Sequence, residues 1–169
     1  ILIVHWLACG LRHYHLRGIL HEDFKPVNVL MTRKGVPVIG DLGVGNEGTI
    51  EDGKVKAMLR GGTPVYASPN VHKLFFQAKA LPVAQRKDFL QEHPITHFDD
   101  FFALGATILY MCAECGWRRG QSVAEVLASR SLNQLVADTK LMRLTVPKGI
   151  VEVLQACFSA DESLTVDSI

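Results

Sequence analysis

Apolar residues open the chain at helical spacing: Ile3, Leu7, Leu11 and Tyr14 recur every three to four positions among His and Arg. That period predicts a helix over residues 1–17, with Gly18 as its stop. Two short β-branched runs follow, Val27 to Met31 and Val36 to Ile39, on either side of Thr32-Arg33-Lys34-Gly35. They predict a β-hairpin whose second strand runs into Gly40-Asp41-Leu42-Gly43. Residues 43–65 are glycine-rich and polar without a period, and read as one long irregular loop. Residues 98–113 then predict a buried helix, and its apolar run from Phe101 to Cys112 is too short to span a bilayer. Ser122 to Ser129 and Pro147 to Phe158 read as two more helices, the second opened by its proline. The order predicts a mostly α fold with one small β-hairpin.

Bulk properties narrow the choice of function. With 169 residues the chain is one domain's worth of material, and a chain of that size buries roughly 68–70% of its unfolded surface. Hydrophobic residues at 48% and charged residues at 21% exclude disorder. Lys+Arg number 18 against 17 Asp+Glu, so the net charge of +1 suggests neither nucleic acid nor a membrane surface as partner. Cys9, Cys112, Cys115 and Cys157 are too few and scattered for a disulfide scaffold, and are expected as reduced thiols of a cytoplasmic protein. Cys112-x-x-Cys115 could be a zinc half-site, but no second half accompanies it, so it reads as packing. His13 and His15 are two apart, face different sides of a helix, and cannot chelate together. With His5 and His21 they read as packing or surface residues. The opening Ile-Leu-Ile-Val has no initiator methionine, so a preceding segment is expected.

The candidate chemistry lies in His21-Glu22-Asp23-Phe24-Lys25-Pro26-Val27-Asn28 and in Asp41. Read alone, Asp-x-Lys is an ordinary solvated loop, and Asp41 before glycine an ordinary turn. Gly40 to Gly45 has neither a G-x-G-x-x-G pattern nor a following helix, which sets a dinucleotide loop aside. Asp100, ahead of an apolar helix, has the look of an N-cap.

Together the spacings resemble the protein-kinase catalytic loop, H-R-D-L-K-P-x-N, followed by the D-F-G motif at Asp41-Leu42-Gly43. Gly62-Thr63-Pro64-Val65-Tyr66-Ala67-Ser68-Pro69-Asn70 is similar to the G-T-P-x-Y-x-A-P-E that closes a kinase activation segment. Asp100-Phe101-Phe102-Ala103-Leu104-Gly105 resembles D-x-W-S-L-G, which opens the central helix of the C-terminal lobe. At about 5% usage per residue type, eight such positions in order arise by chance on the order of 10⁻¹⁰ per frame. The resemblance is to eukaryotic-type protein kinases, over nearly all of residues 1–169.

The resemblance implies a kinase C-terminal lobe over residues 1–169, with ATP and Mg²⁺ as cofactors and Ser/Thr of proteins as substrate. Asp23 would orient the substrate hydroxyl and accept its proton. Lys25 would hold the γ-phosphate, and a lysine there resembles Ser/Thr-specific enzymes. Asn28 and Asp41 would be the metal ligands, since Mg²⁺ prefers hard oxygen donors. Leu30 would floor the adenine site, and Thr63 would shape the peptide site beside Asp23 and Lys25. Asp100 would be buried and bonded to the catalytic-loop backbone.

Four departures qualify this expectation. Glu22 stands where the family has an Arg that pairs with an activation-loop phosphate, and a carboxylate is expected to repel one. Asn70 replaces the Glu of A-P-E, and Thr165 stands at the place of that residue's Arg partner, so both halves of the ion pair change together. Leu42 replaces the Phe of D-F-G, a mild change. Residues 1–169 also hold no glycine-rich phosphate loop, strand lysine or helix glutamate of the N-terminal lobe. The alternative is therefore a pseudokinase or protein-docking module without catalysis. Either way an apolar face is expected where the N-terminal lobe or a partner docks, and the isolated chain is expected to be inactive. Thr49 and Thr63 are candidate phosphosites by loop position.

Overall fold

Leu7, Leu11 and His15 form the inward face of α1 (Leu2–His15), on the predicted period. The computed structural model describes residues 2–112, 122–129, 134 and 149–159. Gly18, at φ 72°, takes the left-handed conformation past the end of α1 that glycine adopts without strain. The chain then forms β1 (Ile19–Leu20) and a 3-10 turn over Pro26–Asn28.

The hairpin forms as predicted from β2 (Val29–Met31) and β3 (Pro37–Ile39), in the register Val29↔Ile39, Leu30↔Val38, Met31↔Pro37. Its turn closes through Gly35 N–H on the Thr32 carbonyl, and Thr32 Oγ1 accepts from Val36 N–H. Ile39 points into the core while Leu30 and Val38, paired across the ladder, stay exposed.

Residues 43–65 depart from the expected irregular loop. They carry β4 (Asn46–Glu47), β5 (Thr49–Glu51), β6 (Lys54–Ala57) and a 3-10 turn at Pro64–Tyr66. β5 and β6 join through Asp52-Gly53, both at positive φ, as a two-residue hairpin loop requires. Val55 and Ala57 face inward, alternating with Lys54 and Lys56. β6 pairs on its other edge with β7 (Ile95–Thr96), while β1 pairs with β4.

Two helices that the apolar pattern did not bring out, α2 (Pro69–Ala80) and α3 (Val83–Glu92), fill the stretch before β7. Ser68 caps α2 by accepting from Val71 N–H, and Pro69 occupies the first turn. α2 buries Val71 and Leu74 with Leu20, Val55, Leu59 and Ile95 in a small second core, on which Phe89 and Leu90 of α3 also pack.

The main core centres on α4 (His97–Cys112). Phe101, Phe102, Ala103, Leu104, Ala106, Ile108 and Leu109 are all buried, and a helix apolar on every side belongs inside a fold. Against it pack α1, Phe24, Ile39, α5 (Val123–Ser129) and α6 (Ile150–Phe158). α6 begins at Gly149 (φ 85°), later than the predicted Pro147 start, and Pro147 itself lies outside the described residues. Gly105 permits this crossing: a Cβ there would stand 2.6 Å from Cys157 Cβ. Thr165 and Cys115 also lie outside the described residues.

Candidate functional site

Asp100, in the first turn of α4, suspends the loop that carries the candidate chemistry. Its Oδ2 accepts from His21 N–H at 2.8 Å and its Oδ1 from Glu22 N–H at 2.9 Å. Oδ2 also accepts from His15 Nε2 at 2.9 Å, so the proton of that ring sits on Nε2. Burial by itself would raise the Asp100 carboxyl, but the His15 ring and the two backbone N–H groups outweigh it and hold the group below its usual range. Asp100 is thus the buried loop anchor that the resemblance implied. Capping of α4 falls to Asp99, whose Oδ2 accepts from Thr96 N–H at 2.8 Å. Ser68 Oγ donates to Asp99 Oδ1 at 2.5 Å, and burial pushes Asp99 upward despite these bonds.

His21 fixes the other side of the loop. Its Nε2 donates to the Gly40 carbonyl at 3.0 Å, and its Nδ1 accepts from Asp23 N–H at 3.3 Å. One buried imidazole therefore ties the Asp23 backbone to the end of β3. Both His15 and His21 are buried, as a packing role expects, and their hydrogen bonds add a positioning role that the sequence did not indicate.

On this frame three side chains close a ring. Lys25 Nζ lies 2.5 Å from Asp23 Oδ2 and 2.8 Å from Thr63 Oγ1, and Thr63 Oγ1 donates to Asp23 Oδ1 at 2.6 Å. Both carboxylate oxygens of Asp23 thus have a partner, and each keeps a lone pair for another donor. Thr63 reaches the ring from a segment far along the chain, as the resemblance implied. Its hydroxyl is engaged there, while Thr49, the other candidate phosphosite, is exposed on β5 and bonded to Glu51.

Asn28 is buried at the end of the 3-10 turn, and its Nδ2 donates to the Asp23 carbonyl at 2.9 Å. Its amide oxygen remains the acceptor end. Gly40 N–H donates to the Asn28 carbonyl at 2.8 Å, extending the β2–β3 ladder by one step. That pairing brings Asn28 and Asp41 to the same end of the hairpin. Asp41 is exposed in the left-handed region (φ 59°), with Oδ1 accepting from Gly43 N–H at 3.2 Å. Asn28 and Asp41 offer two hard oxygen donors, the type and number Mg²⁺ takes from protein when phosphates complete its shell. Among the described residues no group of three or more His, Cys, Asp or Glu could hold a metal ion. Leu30 lies on the outer face of the same hairpin, 58% exposed, with Val38 and Leu42 exposed nearby in sequence.

Glu22, at the place where an Arg was expected, is tethered through its side chain to a distant stretch of backbone. Its Oε2 accepts from Arg60 N–H at 2.7 Å. Burial, foremost, and the neighbouring Asp100 charge raise its carboxyl to about 7. Sequence reasoning missed this anchoring contact because it joins positions far apart in the chain, and only its oddity for the family marked the residue out. Among the described residues no helix is long and apolar enough to cross a membrane.

A family profile described as "Protein kinase domain" matches residues 2–164. Rhodopsin kinase of Homo sapiens is 34% identical over 110 residues, covering 65% of this chain and 16% of that protein. Serine/threonine-protein kinase Nek5 of Mus musculus is 29% identical over 107 residues, 63% of this chain and 14% of the relative. A probable cell division protein kinase of Encephalitozoon cuniculi is 27% identical over 99% of this chain and 58% of its own length. The chain therefore spans well under two thirds of each of these relatives.

Proposed function

This chain belongs to the protein kinase family, and from that premise we propose that residues 1–169 form the C-terminal lobe of a kinase domain. The complete domain transfers the ATP γ-phosphoryl group to serine or threonine hydroxyls of protein substrates. The observation that carries this reading is the Asp23–Lys25–Thr63 ring, in which a carboxylate, an ammonium and a hydroxyl meet within 2.5 to 2.8 Å.

Phosphoryl transfer asks a protein mainly for positioning and for charge aimed at the phosphoryl oxygens. Asp23 orients the incoming hydroxyl with a free lone pair and takes its proton. Lys25, already held by Asp23 and Thr63, presents its cation at the transferred group. Thr63 bonds both groups, which fixes their geometry, and borders the peptide site. Bound ATP with Mg²⁺ supplies the phosphoryl group and neutralises its charge, and Asn28 and Asp41 are the residues that would hold the metal. Lys25 two residues after Asp23 favours a Ser/Thr acceptor, in keeping with the similarity to the mouse serine/threonine-protein kinase.

The exposed apolar residues Leu30, Val38 and Leu42 support a cover over the hairpin, with Leu30 under the adenine. That cover is an N-terminal lobe in the same protein or a partner in its place. To test the reading, ATP binding of the full-length protein is measured with and without Mg²⁺, and labelled product is hydrolysed to its phosphoamino acids. Metal-strengthened binding that Asp41→Asn weakens, with label in phosphoserine or phosphothreonine, is the expected result. Binding indifferent to metal and to Asp41, with no labelled product, would turn the reading to a docking module.

A further inference from the structure

Glu22 sits between His21 and Asp23 in the left-handed region (φ 64°), a conformation that side chains other than glycine rarely adopt. Its own N–H is held by Asp100. From there its carboxylate accepts from the backbone N–H of Arg60 at 2.7 Å. Its carbonyl lies so close to Gly62 (φ 121°) that a Cβ there would stand 2.6 Å away. The side chain of Glu22 thus bonds the Arg60 main chain, while its carbonyl packs closely against Gly62. The next residue is Thr63, which completes the ring with Asp23 and Lys25.

We propose that Glu22 is a positioning residue: its carboxylate anchors the main chain at Arg60 to the catalytic loop and so sets Thr63, three residues on, against Asp23 and Lys25. The proposal rests on the kinase reading for its functional consequence, though the tether itself does not. The physical need is clear, because two consecutive glycines leave the approach to Thr63 with more backbone freedom than any other dipeptide. A charge-assisted bond from the Arg60 N–H to the carboxylate, with the close approach of the Glu22 carbonyl to Gly62, limits that freedom. The anchor uses no added phosphate, and its charge is opposite to that of a phosphate-binding side chain. The Glu22 Oε1 is buried without a partner, so a change that keeps one acceptor oxygen preserves the contact that matters.

The test compares full-length protein with its Glu22→Ala and Glu22→Gln variants by two readouts. The first is residue-resolved amide exchange at Arg60, with α4 amides as the control for folding. The second is the split of kcat and KM for a peptide substrate and for ATP. In Glu22→Ala, Arg60 is expected to exchange faster while α4 stays protected. Peptide kcat/KM is expected to fall on the order of tenfold to a hundredfold, with KM for ATP nearly unchanged. Glu22→Gln keeps an acceptor and is expected to restore both readouts. A folded Glu22→Ala protein with unchanged exchange at Arg60 would overturn the proposal, and so would a glutamine variant that behaves like alanine. Exchange is read without ATP or substrate. A protein with the tether but no phosphate transfer would therefore overturn the functional consequence of the proposal together with the kinase reading, and leave the anchor standing.

Discussion

Thr63 joins the two charges of the site, so its hydroxyl carries a sharp expectation. Thr63→Val keeps the shape but removes one partner from each of Asp23 and Lys25. Phosphate transfer to a peptide is expected to drop roughly tenfold or more, with recovery in Thr63→Ser; an unchanged rate in the valine variant would detach Thr63 from the ring's function. Glu22 makes a prediction of opposite character, about pH. Its carboxyl is raised from 4.5 to about 7 by burial foremost and by the Asp100 charge, against the lowering influence of the Arg60 and Gly61 N–H groups and the Arg60 cation. A raised acid holds its proton more tightly in the fold than in the unfolded chain. Its contribution to stability is therefore fully present below about 4.5 and lost as pH rises through about 7. Urea unfolding across pH 4 to 8 (about that range avoids acid denaturation) should show wild type losing stability relative to Glu22→Gln through this window. A flat or rising difference would contradict the assignment.

At the scale of elements, α4 does two jobs, filling the core and suspending the His21–Asp23 loop from Asp100. Asp100→Ala leaves His15 Nε2 and the N–H groups of His21 and Glu22 without their buried acceptor. Loss of one member of such a cluster costs about 3–5 kcal/mol, to be read from denaturant unfolding. A second expectation concerns the α4–α6 crossing. Gly105→Ala would push a Cβ to 2.6 Å from that of Cys157, a clash worth about 1–3 kcal/mol. Cys157→Gly, by removing the opposing Cβ, should relieve it in the double variant, whereas Cys157→Ala should not. Elements were legible in the sequence to the extent that their cause was local. The α1 period, the β2–β3 runs and the apolar α4 stretch all speak within a short window. β4, β5 and β6 are two to four residues long and carry little period. Asp52-Gly53 was the signal for their hairpin, and Ser68-Pro69 for the start of α2. β6 owes its second partner to β7, a pairing no local pattern contains.

Over the whole molecule, the two cores hold two halves of one site. The main core fixes the Asp23 loop and hairpin through α1, α4 and Ile39, while the smaller core fixes the segment from β6 to α2 that delivers Thr63. The spacing of Asp23, Lys25, Asn28, Asp41 and Thr63 singled out the proposed set before any geometry. The cross-links that assemble it, from Asp100 to the loop and from Glu22 to Arg60, bridge distant positions and had to be seen. The central claim is that Asp23 within this assembly serves phosphoryl transfer. It is tested most directly by Mg²⁺-dependent transfer from labelled ATP to a generic basic protein, using the full-length protein and its Asp23→Asn variant. The account predicts transfer by wild type and its loss, on the order of a hundredfold or more, in a variant that still folds and binds ATP. Equal transfer by the two proteins, or none from well-folded wild type, would contradict it.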